Sequence, residues 1–403
     1  MAGMPQAVTR LVIENYKSIA RCDVELGPLT FLVGQNGAGK SNFLDALRFV
    51  SDALRNSLDS AIRDRGSFND LRFKGADLDA PVLLRLEVAL PNEEKGEYSF
   101  SLIQDPDMGY KVAEERCTTY YPATDQAPTG FHLRDGFHVN HPNWPEGVPA
   151  AQPKQLHLPF SVDLRGRPPI YNVLAGMAFY DPIPAHMRSP ERHDQGDRLQ
   201  PDGSNCASVL LRLATQRPQA LQRIKDYMKA ILPGLQRIQG TALGGYDVLE
   251  FTQRVSDREL SFPPISVSDG ALHALAVLTS LFQADDRSPQ APSLVTIEEP
   301  GGMLHPGATG VLLDALRDAS EHVQVLVTTH SPDILDDKDV DSDSVLAVVS
   351  RDGESTLGPL DGSDRSLVRD HLYTVGDLMR QGALEPGTPS DRDAGVASTA
   401  GVR

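Results

Sequence analysis

Eight consecutive residues near the N-terminus match the phosphate-binding pattern GxxxxGK[ST]: Gly34-Gln35-Asn36-Gly37-Ala38-Gly39-Lys40-Ser41. Glycines in such a loop let backbone N–H groups curl round a phosphate without Cβ clashes, and a following helix adds its positive end. Lys40 is expected to reach the β- and γ-phosphates of ATP, and the Ser41 hydroxyl to ligate Mg²⁺. A glycine-rich turn unconnected with nucleotide is disfavoured, because a strand is predicted before the loop and a helix after it.

Two adjacent acids, Glu298 and Glu299, end the apolar run 293–297. Acids at the end of a buried strand are costly unless they meet a cation or water. Adjacent strand positions point to opposite sides. We therefore expect Glu298 in the Mg²⁺ shell and Glu299 beside the γ-phosphate, where it would orient or deprotonate the attacking water. Taken alone, such a pair is also typical of a helix N-terminus.

A histidine, His330, follows the next predicted strand, 323–328. We expect its ring at the same edge of the sheet, hydrogen-bonded to the γ-phosphate or to the attacking water. A lone histidine at a strand end is more often structural. The position of His330 one strand–helix unit after Glu299 favours the catalytic interpretation.

Residues 267–270 open another predicted helix, 271–282. Ser268 supplies a small hydroxyl and Gly270 a close backbone approach, and with the helix N-terminus they make a second phosphate-binding arrangement. Ser268 and Asp269 are also both favoured N-cap residues. The local sequence therefore leaves open a plain capped helix.

Hydrophobic periodicity predicts the elements that position these residues. Strands are expected at 11–16, 22–26, 29–33, 82–90, 98–104 and 246–252, and helices from about Lys40 and at 207–215 and 218–231. Beyond 260, helices at 271–282 and 308–319 alternate with buried strands at 293–297, 323–328 and 345–349, which predicts a parallel sheet covered by helices. Residues 123–169 are rich in Pro, Gly, His and Asn and are predicted to be an irregular insertion.

Together these motifs resemble the ABC-type ATPase head of RecF, the OLD nucleases and the SMC proteins. Residues 13–19 (IENYKSI) resemble the strand and turn that open those heads, residues 34–41 the Walker A motif, 267–270 the signature motif, 294–299 the Walker B motif, and His330 the switch histidine. The SDG signature and the run EEPGGMLHP at 298–306 are most similar to RecF-like AAA family ATPases. The resemblance implies an α/β P-loop NTPase with a mixed or parallel sheet core, an N-terminal antiparallel β-region and a helical lobe.

The resemblance also implies a domain plan. The ATPase head would occupy 8–335, with its nucleotide-binding lobe at 10–50 and 260–335, the insertion at 123–169 and a helical and strand lobe at 200–260. A strand–helix extension at 336–384 and a disordered tail at 385–403 would follow.

In heads of this kind two subunits enclose ATP: one supplies the Walker motifs and the other the signature serine and glycine. The resemblance therefore implies a homodimer that forms head to head on ATP binding, with Ser268 and Gly270 contacting the nucleotide of the other copy. Lys40, Glu299 and His330 would carry catalysis. Ser41 and Glu298 would hold Mg²⁺, so ATP and Mg²⁺ are the expected cofactors.

The sequence departs from the family pattern at three points. The first Walker B acid is Glu298, where an aspartate is commoner, and Gly301 replaces the usual acid after Pro300. The Q-loop glutamine has no single candidate: Gln104, Gln126, Gln152 and Gln155 are all available.

Two further groups of polar residues raise the question of a metal or nuclease site. Asp339, Asp341 and Asp343 form an acidic ladder, but a polar loop before a strand favours solvated side chains over a Toprim nuclease, so no nuclease is expected in this chain. Three histidines of the insertion have no nearby Cys or acid pattern and are expected in a surface loop: His132, His138 and His141.

Composition limits the partners. The net charge of −17 over 403 residues disfavours a general attraction to nucleic acid but allows a local basic groove. A solvated helix face is the favoured interpretation of the one basic stretch, and DNA contact the alternative. Its cations are Arg212, Arg217, Arg223, Lys225, Lys229 and Arg237.

Three widely spaced cysteines fit neither a disulfide framework nor a metal site, and no secretory signal is evident. No apolar run approaches the roughly 20 residues of a membrane span. We expect a cytoplasmic protein that does not enter the membrane.

The favoured function is an ATP-driven, DNA-associated switch in DNA repair or anti-phage defence, controlling a nuclease encoded separately. One alternative is the ATPase subunit of a membrane transporter, disfavoured because the signature is SDG in place of LSGGQ. Another is a nucleotide-sensing scaffold that binds ATP and hydrolyses it slowly.

Overall fold

The computed structural model describes residues 7–124, 126–139, 150–161, 168–194, 196–256, 258–283 and 291–387. The strands are β1 (Ala7–Tyr16), β2 (Ile19–Glu25), β3 (Leu29–Val33), β4 (Val82–Ala89), β5 (Lys95–Asp105), β6 (Gly109–Tyr120), β7 (Thr129–Arg134), β8 (Phe137–His138), β9 (Ala178–Tyr180), β10 (Glu191–Arg192), β11 (Leu235–Leu243), β12 (Tyr246–Val255), β13 (Arg258–Phe262), β14 (Leu294–Glu298), β15 (Gln324–Thr329), β16 (Val345–Arg351) and β17 (Glu354–Pro359). The helices are α1 (Lys40–Arg55), α2 (Leu58–Arg63), α3 (Phe68–Leu71), α4 (Pro169–Ala175), α5 (Pro184–Met187), α6 (Cys206–Gln216), α7 (Pro218–Ile231), α8 (Asp269–Phe282), α9 (Pro306–Ser320), α10 (Gly362–Arg369) and α11 (Val375–Gln381).

The chain divides into two compact units. The first comprises 1–177, 341–372 and 382–403, and the second 178–340 and 373–381. The predicted nucleotide-binding ranges 10–50 and 260–335 fall in different units. Among the helices of the described ranges, none combines the length and hydropathy needed to cross a bilayer.

An antiparallel sheet of seven strands, in the order β2-β1-β4-β5-β6-β7-β8, dominates the first unit. Its central strands alternate buried apolar with more exposed side chains, as expected when one face lies on a core. Helix α1 covers that face, and the ring of Phe49 lies 5.9 Å from that of Tyr16 and 6.1 Å from that of Phe100. The predicted start of α1 at Lys40 and the N-terminal antiparallel β-region are confirmed.

The first unit also contains β3, which runs parallel to β16, and β17, which is antiparallel to β16. All but one residue of β3 is buried. Its apolar sequence therefore ends abruptly at Val33, where the glycine-rich loop begins.

In the second unit β9, β14 and β15 form a parallel sheet. Continuous apolar runs in β14 and β15 explain why both are buried on two sides. Helix α8 is buried at every position from Ala271 to Phe282, so it is a core helix and not an amphipathic surface helix. The predicted alternation of buried strands and helices is confirmed here.

A smaller antiparallel sheet, β10-β12-β11 with β13 on β12, completes the second unit. Helix α6 packs closely on it: a Cβ at Gly240 of β11 would lie 2.1 Å from the carbonyl oxygen of Ala207. The sequence predicts only one strand of this sheet, at 246–252.

The prediction of an irregular insertion at 123–169 needs correction. Strands β7 and β8 lie within it and extend the seven-stranded sheet, and α4 begins at its end. The sequence of β7, TGFHLR, is polar because an edge strand is held by backbone pairing and needs little apolar surface.

The predicted disordered tail at 385–403 also needs correction at its start. Gly387 N donates to Pro359 O at 2.7 Å, and the Glu385 carboxylate lies 2.7 Å from Arg351 Nη2. These residues are anchored on β17 and its neighbour. The rest of the predicted tail lies outside the described residues.

A buried carboxylate anchors residues 150–161 to the seven-stranded sheet. Glu115 of β6, only 1% exposed, accepts hydrogen bonds from the backbone N–H groups of His157 and Leu158 at 2.6 and 3.0 Å, and from Tyr98 Oη at 2.9 Å. Burial raises the pKa of Glu115 to about 7 from an ordinary 4.5, and the three donated bonds oppose the rise. The folded protein therefore holds a proton here that the unfolded chain releases.

Replacing Glu115 with Gln should remove a pH dependence of stability. Between about pH 4.5 and 7 the folded state keeps the proton that the unfolded state has lost, so parental stability should fall as pH rises, by about 3 kcal/mol. Urea unfolding across this range measures the slope, and Glu115→Gln should be flatter by that amount. The exposed Glu354→Gln is the control, and equal slopes for parent and Glu115→Gln would contradict the prediction.

Candidate functional site

The loop between β3 and α1 takes a shape that requires its glycines. Gly37 and Gly39 have φ of 77° and 109°, in the left-handed region where side chains are strained. A Cβ at Gly34 would lie 2.2 Å from Val348 O of β16. Loop conformation and close backbone approach thus account for the spacing of the motif.

Lys40 turns back over this loop. Its Nζ donates to Gly34 O at 2.7 Å and Gln35 O at 3.1 Å, and the residue is 7% exposed. The N-cap of α1, Gly39, has no side chain to cap the first turn. Residues 35–37 and Ser41 are exposed, so the loop presents backbone and a hydroxyl beside a cation.

Three hydrogen-bonded polar side chains lie against the loop. Ser18 Oγ shares a 2.7 Å hydrogen bond with Ser355 Oγ of β17 and accepts another from Asn42 Nδ2 at 2.6 Å. A Cβ at Gly39 would lie 2.1 Å from Ser355 Oγ. The turn that carries Ser18 therefore helps to set where α1 begins.

Asp45 of α1 ties the same turn to the helix. Its carboxylate accepts from Tyr16 Oη at 2.7 Å and pairs with Lys17 Nζ at 2.5 Å and Arg65 Nε at 2.8 Å. Burial opposes ionisation, but Arg65, Lys17 and the bond from Tyr16 outweigh it, so the pKa of Asp45 is lowered. Sequence reasoning missed Asp45 and Arg65; the one available signal is the positive charge of Lys17 in the turn after β1.

In the second unit, Glu299 and His330 are in direct contact. His330 Nδ1 lies 2.8 Å from Glu299 Oε1, and His330 N donates to Glu299 Oε2 at 3.1 Å. Glu299 has a φ of 45°, and its own N–H donates to Thr328 O at 3.1 Å. A non-glycine residue held in the left-handed region is strained, a feature that clusters at functional sites.

Glu298 is the last residue of β14 and pairs in register with Thr328 of β15. The expectation that Glu298 and Glu299 alternate across one strand needs correction, because Glu299 lies beyond the strand. The left-handed turn, not strand alternation, directs the Glu299 carboxylate to His330. Glu298 still belongs to the strand and Glu299 to the turn after it, so the two carboxylates can serve separate roles.

Ser268 and Gly270 lie at the start of α8. Ser268 is its N-cap and is exposed, and its Oγ accepts from Ala271 N at 3.4 Å. A Cβ at Gly270 would lie 2.3 Å from Met303 O, in the turn after Glu299. The helix start is thus both a capped N-terminus and a close partner of that turn.

The Gly301 departure has no steric cause. A Cβ there would meet nothing nearer than Ile334 at 3.7 Å, an ordinary contact. Further along the turn, His305 is the N-cap of α9, and its Nδ1 accepts from Gly307 N at 3.1 Å. His305 therefore has a structural role.

The acidic ladder is part of a capped loop. Asp341 Oδ1 accepts from Asp343 N at 2.9 Å, and Asp343 pairs with Arg365 Nε at 2.7 Å. Within the ranges that the structure describes, no group of three or more His, Cys, Asp and Glu side chains is arranged to hold a metal ion.

Two of the three histidines of the insertion occupy strands, not the expected surface loop. His132 of β7 lies 2.5 Å from Glu114 Oε1, and His138 of β8 meets the ring of His157 edge-on at 5.7 Å. His141 lies outside the described residues.

Three of the six cations of the basic stretch form hydrogen bonds or ion pairs with other parts of the second unit. Arg212 and Arg217 donate to Gln283 O at 3.3 and 3.2 Å, and Arg223 pairs with Asp318 at 3.2 Å. Burial and then the charges of Lys229 and Arg237 lower the pKa of Lys225, so these three remaining cations lie near enough to act on one another. Here "the basic cluster" denotes Lys225, Lys229 and Arg237.

Comparison with known proteins identifies the family. Residues 29–113 and 142–336, more than half of the chain, match the model of a family described as "AAA domain, putative AbiEii toxin, Type IV TA system". The chain belongs to this AAA-domain family. The match takes in the loop at 34–41, the start of α8, Glu299 and His330.

Parts of the AAA-domain chain are also similar to curated RecF and SMC proteins. It is 32% identical over 119 residues to structural maintenance of chromosomes protein 1 of Schizosaccharomyces pombe, covering 27% of this chain and 10% of that protein. It is 26% identical over 129 residues to the DNA replication and repair protein RecF of Aliivibrio fischeri, covering 31% and 34%. The chain thus matches only a tenth to a third of these relatives.

A solved structure shows the fold. The SMC head domain with an extended coiled coil from Pyrococcus furiosus, bound to the C-terminal domain of ScpA, aligns with a TM-score of 0.51 at 12% identity. The alignment covers 91% of this chain and 99% of that one. The chain therefore has the RecF/SMC-like ABC-type ATPase head fold that its motifs predicted.

Proposed function

We propose that this chain hydrolyses ATP, dimerises head to head when ATP binds, and acts as a DNA-associated switch in DNA repair or anti-phage defence, controlling a separately encoded nuclease. The observation that carries the proposal is the strained Glu299 paired with His330, in a chain that also has a complete P-loop. A pocket for binding alone would not require a strained acid held by a histidine.

The P-loop is assigned to the phosphates of ATP. Exposed backbone at 35–37 and the uncapped start of α1 offer N–H donors, and Lys40 Nζ is already at the loop. We assign Lys40 to the β- and γ-phosphates, for which it would exchange its present bonds to Gly34 O and Gln35 O.

Mg²⁺ is assigned to Ser41 and Glu298. An exposed hydroxyl and a half-buried carboxylate supply the oxygen donors that this cation prefers. When bound, the cation neutralises charge that develops on the phosphates. Glu298 is as suitable as the commoner aspartate in donor chemistry, differing by one methylene.

Glu299 is assigned as the group that orients the attacking water and accepts its proton. His330 holds the carboxylate through both its ring and its backbone N–H, which fixes the direction of the Glu299 lone pairs. Because Nδ1 is committed to Glu299, Nε2 is the ring atom that His330 can turn to the γ-phosphate or the water.

The head-to-head dimer is supported by the exposed start of α8. Ser268 and Gly270 resemble the signature motif, which in such heads contacts the nucleotide of the other subunit. The head is proposed to span 8–335, with 336–384 as an extension. The three cysteines are buried free thiols, which supports a reducing cytoplasm.

The experiment that tests this function combines phosphate release with mass. Purified protein with ATP and Mg²⁺ should release phosphate and shift from one chain of 43.8 kDa towards twice that mass in sedimentation. Phosphate release without any mass change would contradict the dimer. Tight ATP binding with almost no release would favour the sensing scaffold.

The basic cluster should carry DNA affinity, a role supported by the RecF relative's name as a DNA replication and repair protein. Reversing all three charges to Glu should weaken duplex binding by about tenfold or more and make the log–log salt slope shallower by about 3. Fluorescence anisotropy at several KCl concentrations measures both, and turnover without DNA should not change.

A matched control reverses three exposed arginines of the seven-stranded sheet, Arg21, Arg116 and Arg134. This variant has the same net charge and should bind DNA more tightly than the basic-cluster variant. Equal losses in the two variants would indicate general repulsion by net charge and would remove the basic cluster as the DNA surface.

A further inference from the structure

Arg188 contacts the start of α8 at the residues on both sides of Ser268. It follows α5, and its Nη1 lies 2.5 Å from Asp269 Oδ1, while its Nη2 donates to Val267 O at 2.9 Å. The Arg188 side chain is 24% exposed and that of Asp269 is 65% exposed. Val267 and Asp269 are the chain neighbours of Ser268, so one guanidinium ties down both.

The charge of Asp269 presents a conflict that Arg188 resolves. Asp269 is the first residue of α8, where a carboxylate stabilises the positive end of the helix dipole. The same carboxylate would repel the phosphates that the proposed dimer brings to this helix end. Pairing with Arg188 cancels the local charge, so the backbone N–H groups of the first turn can face a phosphate without a competing anion.

The hydrogen bond from Arg188 to Val267 O helps to orient the Ser268 side chain. Ser268 has an extended backbone, φ −64° and ψ 152°, and its side-chain cap to Ala271 N is long at 3.4 Å. A hydrogen bond of that length constrains the residue weakly. The bond from Arg188 to Val267 O fixes the preceding peptide, and the tight packing of Gly270 on Met303 fixes the following turn.

We propose that Arg188 is a positioning residue for the signature segment 267–270. It neutralises Asp269 and holds Ser268 so that the start of α8 accepts the phosphates of ATP bound to a second copy of this chain. The inference rests on the proposed head-to-head dimer. It adds a residue far from the signature in sequence, and a charge requirement that the signature alone does not predict.

The test uses the full chain carrying Glu299→Gln, in which slow turnover keeps the dimer. Sedimentation at increasing ATP with Mg²⁺ gives the ATP concentration for half dimerisation. Adding Arg188→Ala should raise this concentration about tenfold, because Asp269 is then an unpaired anion. Adding Asp269→Asn to Arg188→Ala should recover it to within about threefold, since the repulsion is gone. Arg188→Lys, which keeps the charge, should fall between parent and Arg188→Ala.

The exposed Arg192→Ala, in the same unit, is the control and should match the parent. Binding of a fluorescent ATP analogue to dilute, monomeric protein should be equal in all variants, because the P-loop is intact. If Arg188→Ala with Asp269→Asn needed as high an ATP concentration for half dimerisation as Arg188→Ala alone, the proposed charge role would be overturned. An Arg188→Ala variant that dimerises at the same ATP concentration as the parent would overturn it too. If the Glu299→Gln parent bound ATP but did not dimerise, the proposed dimer would fail and this inference with it.

Discussion

Glu299→Gln should lower ATP turnover by about 100- to 10,000-fold, the usual contribution of a general base, while ATP binding is kept. The amide has the shape of the carboxylate but takes up no proton at neutral pH. Its oxygen can still accept from His330, so the strained turn at φ 45° has the same partners. The variant should therefore bind ATP, remain at the step before hydrolysis and accumulate as dimer.

Steady-state phosphate release measures the loss, and sedimentation with ATP measures the dimer. Glu321→Gln, an exposed glutamate at the end of α9, is the matched control and should keep parental turnover. His330→Ala tests the pairing: it should also reduce turnover, because Glu299 then loses a ring contact and a fixed direction. Turnover of Glu299→Gln within about threefold of the parent would show that another group accepts the proton.

The parts of the site that the sequence predicts well are those set by neighbours in the chain. The P-loop is one: Val33 ends a buried strand, Gly34 and Gly39 meet close backbone or side-chain contacts, and Lys40 opens the helix. Buried runs in β14 and β15 likewise indicate a parallel sheet, because few other environments tolerate uninterrupted apolar residues.

Contacts between distant segments are less predictable. Arg188 meets Asp269, and Arg65 meets Asp45, through folds of the chain that no local pattern encodes. The left-handed turn at Glu299 is hidden for another reason: strand alternation is the default for adjacent residues, and a strained exception needs the surrounding structure to impose it. Sequence reasoning thus finds candidate reacting groups more readily than the groups that orient them.

Edge strands show the same limit in the fold. Strand β7 carries Gly130 and His132 and lacks the apolar alternation of a core strand, so composition alone indicates a loop. It is a strand because β6 offers a row of backbone partners. Glu385 and Gly387 are ordered for a similar reason, since β17 and Arg351 hold them.

Lys40→Met should weaken ATP binding by about 100-fold, equivalent to about 3 kcal/mol, because a charge-assisted contact to phosphate is lost in a nearly buried position. Methionine keeps the unbranched stem that packs at the loop and removes only the charge. Adenosine, which has no phosphates, should bind the parent and Lys40→Met alike.

The free energy of unfolding of Lys40→Met distinguishes a loss of ATP affinity from misfolding. Lys40 is 7% exposed, and its ammonium donates hydrogen bonds to Gly34 O and Gln35 O of the loop. Removing the charge leaves two carbonyls at an exposed loop where water can replace it, so the free energy of unfolding should change by less than about 1 kcal/mol. Titration calorimetry with ATP and with adenosine, beside urea unfolding, measures both quantities.

Lys74→Met is the matched control for Lys40→Met, since Lys74 is an exposed lysine that also donates to a backbone carbonyl, that of Asn69. It should bind ATP like the parent. If Lys40→Met kept parental affinity for ATP, the present bonds of Lys40 to the loop would be its whole function, and the loop would hold phosphate through backbone N–H groups alone. A loss for ATP but not for adenosine instead places the ammonium on the phosphates, which is what hydrolysis at this loop requires.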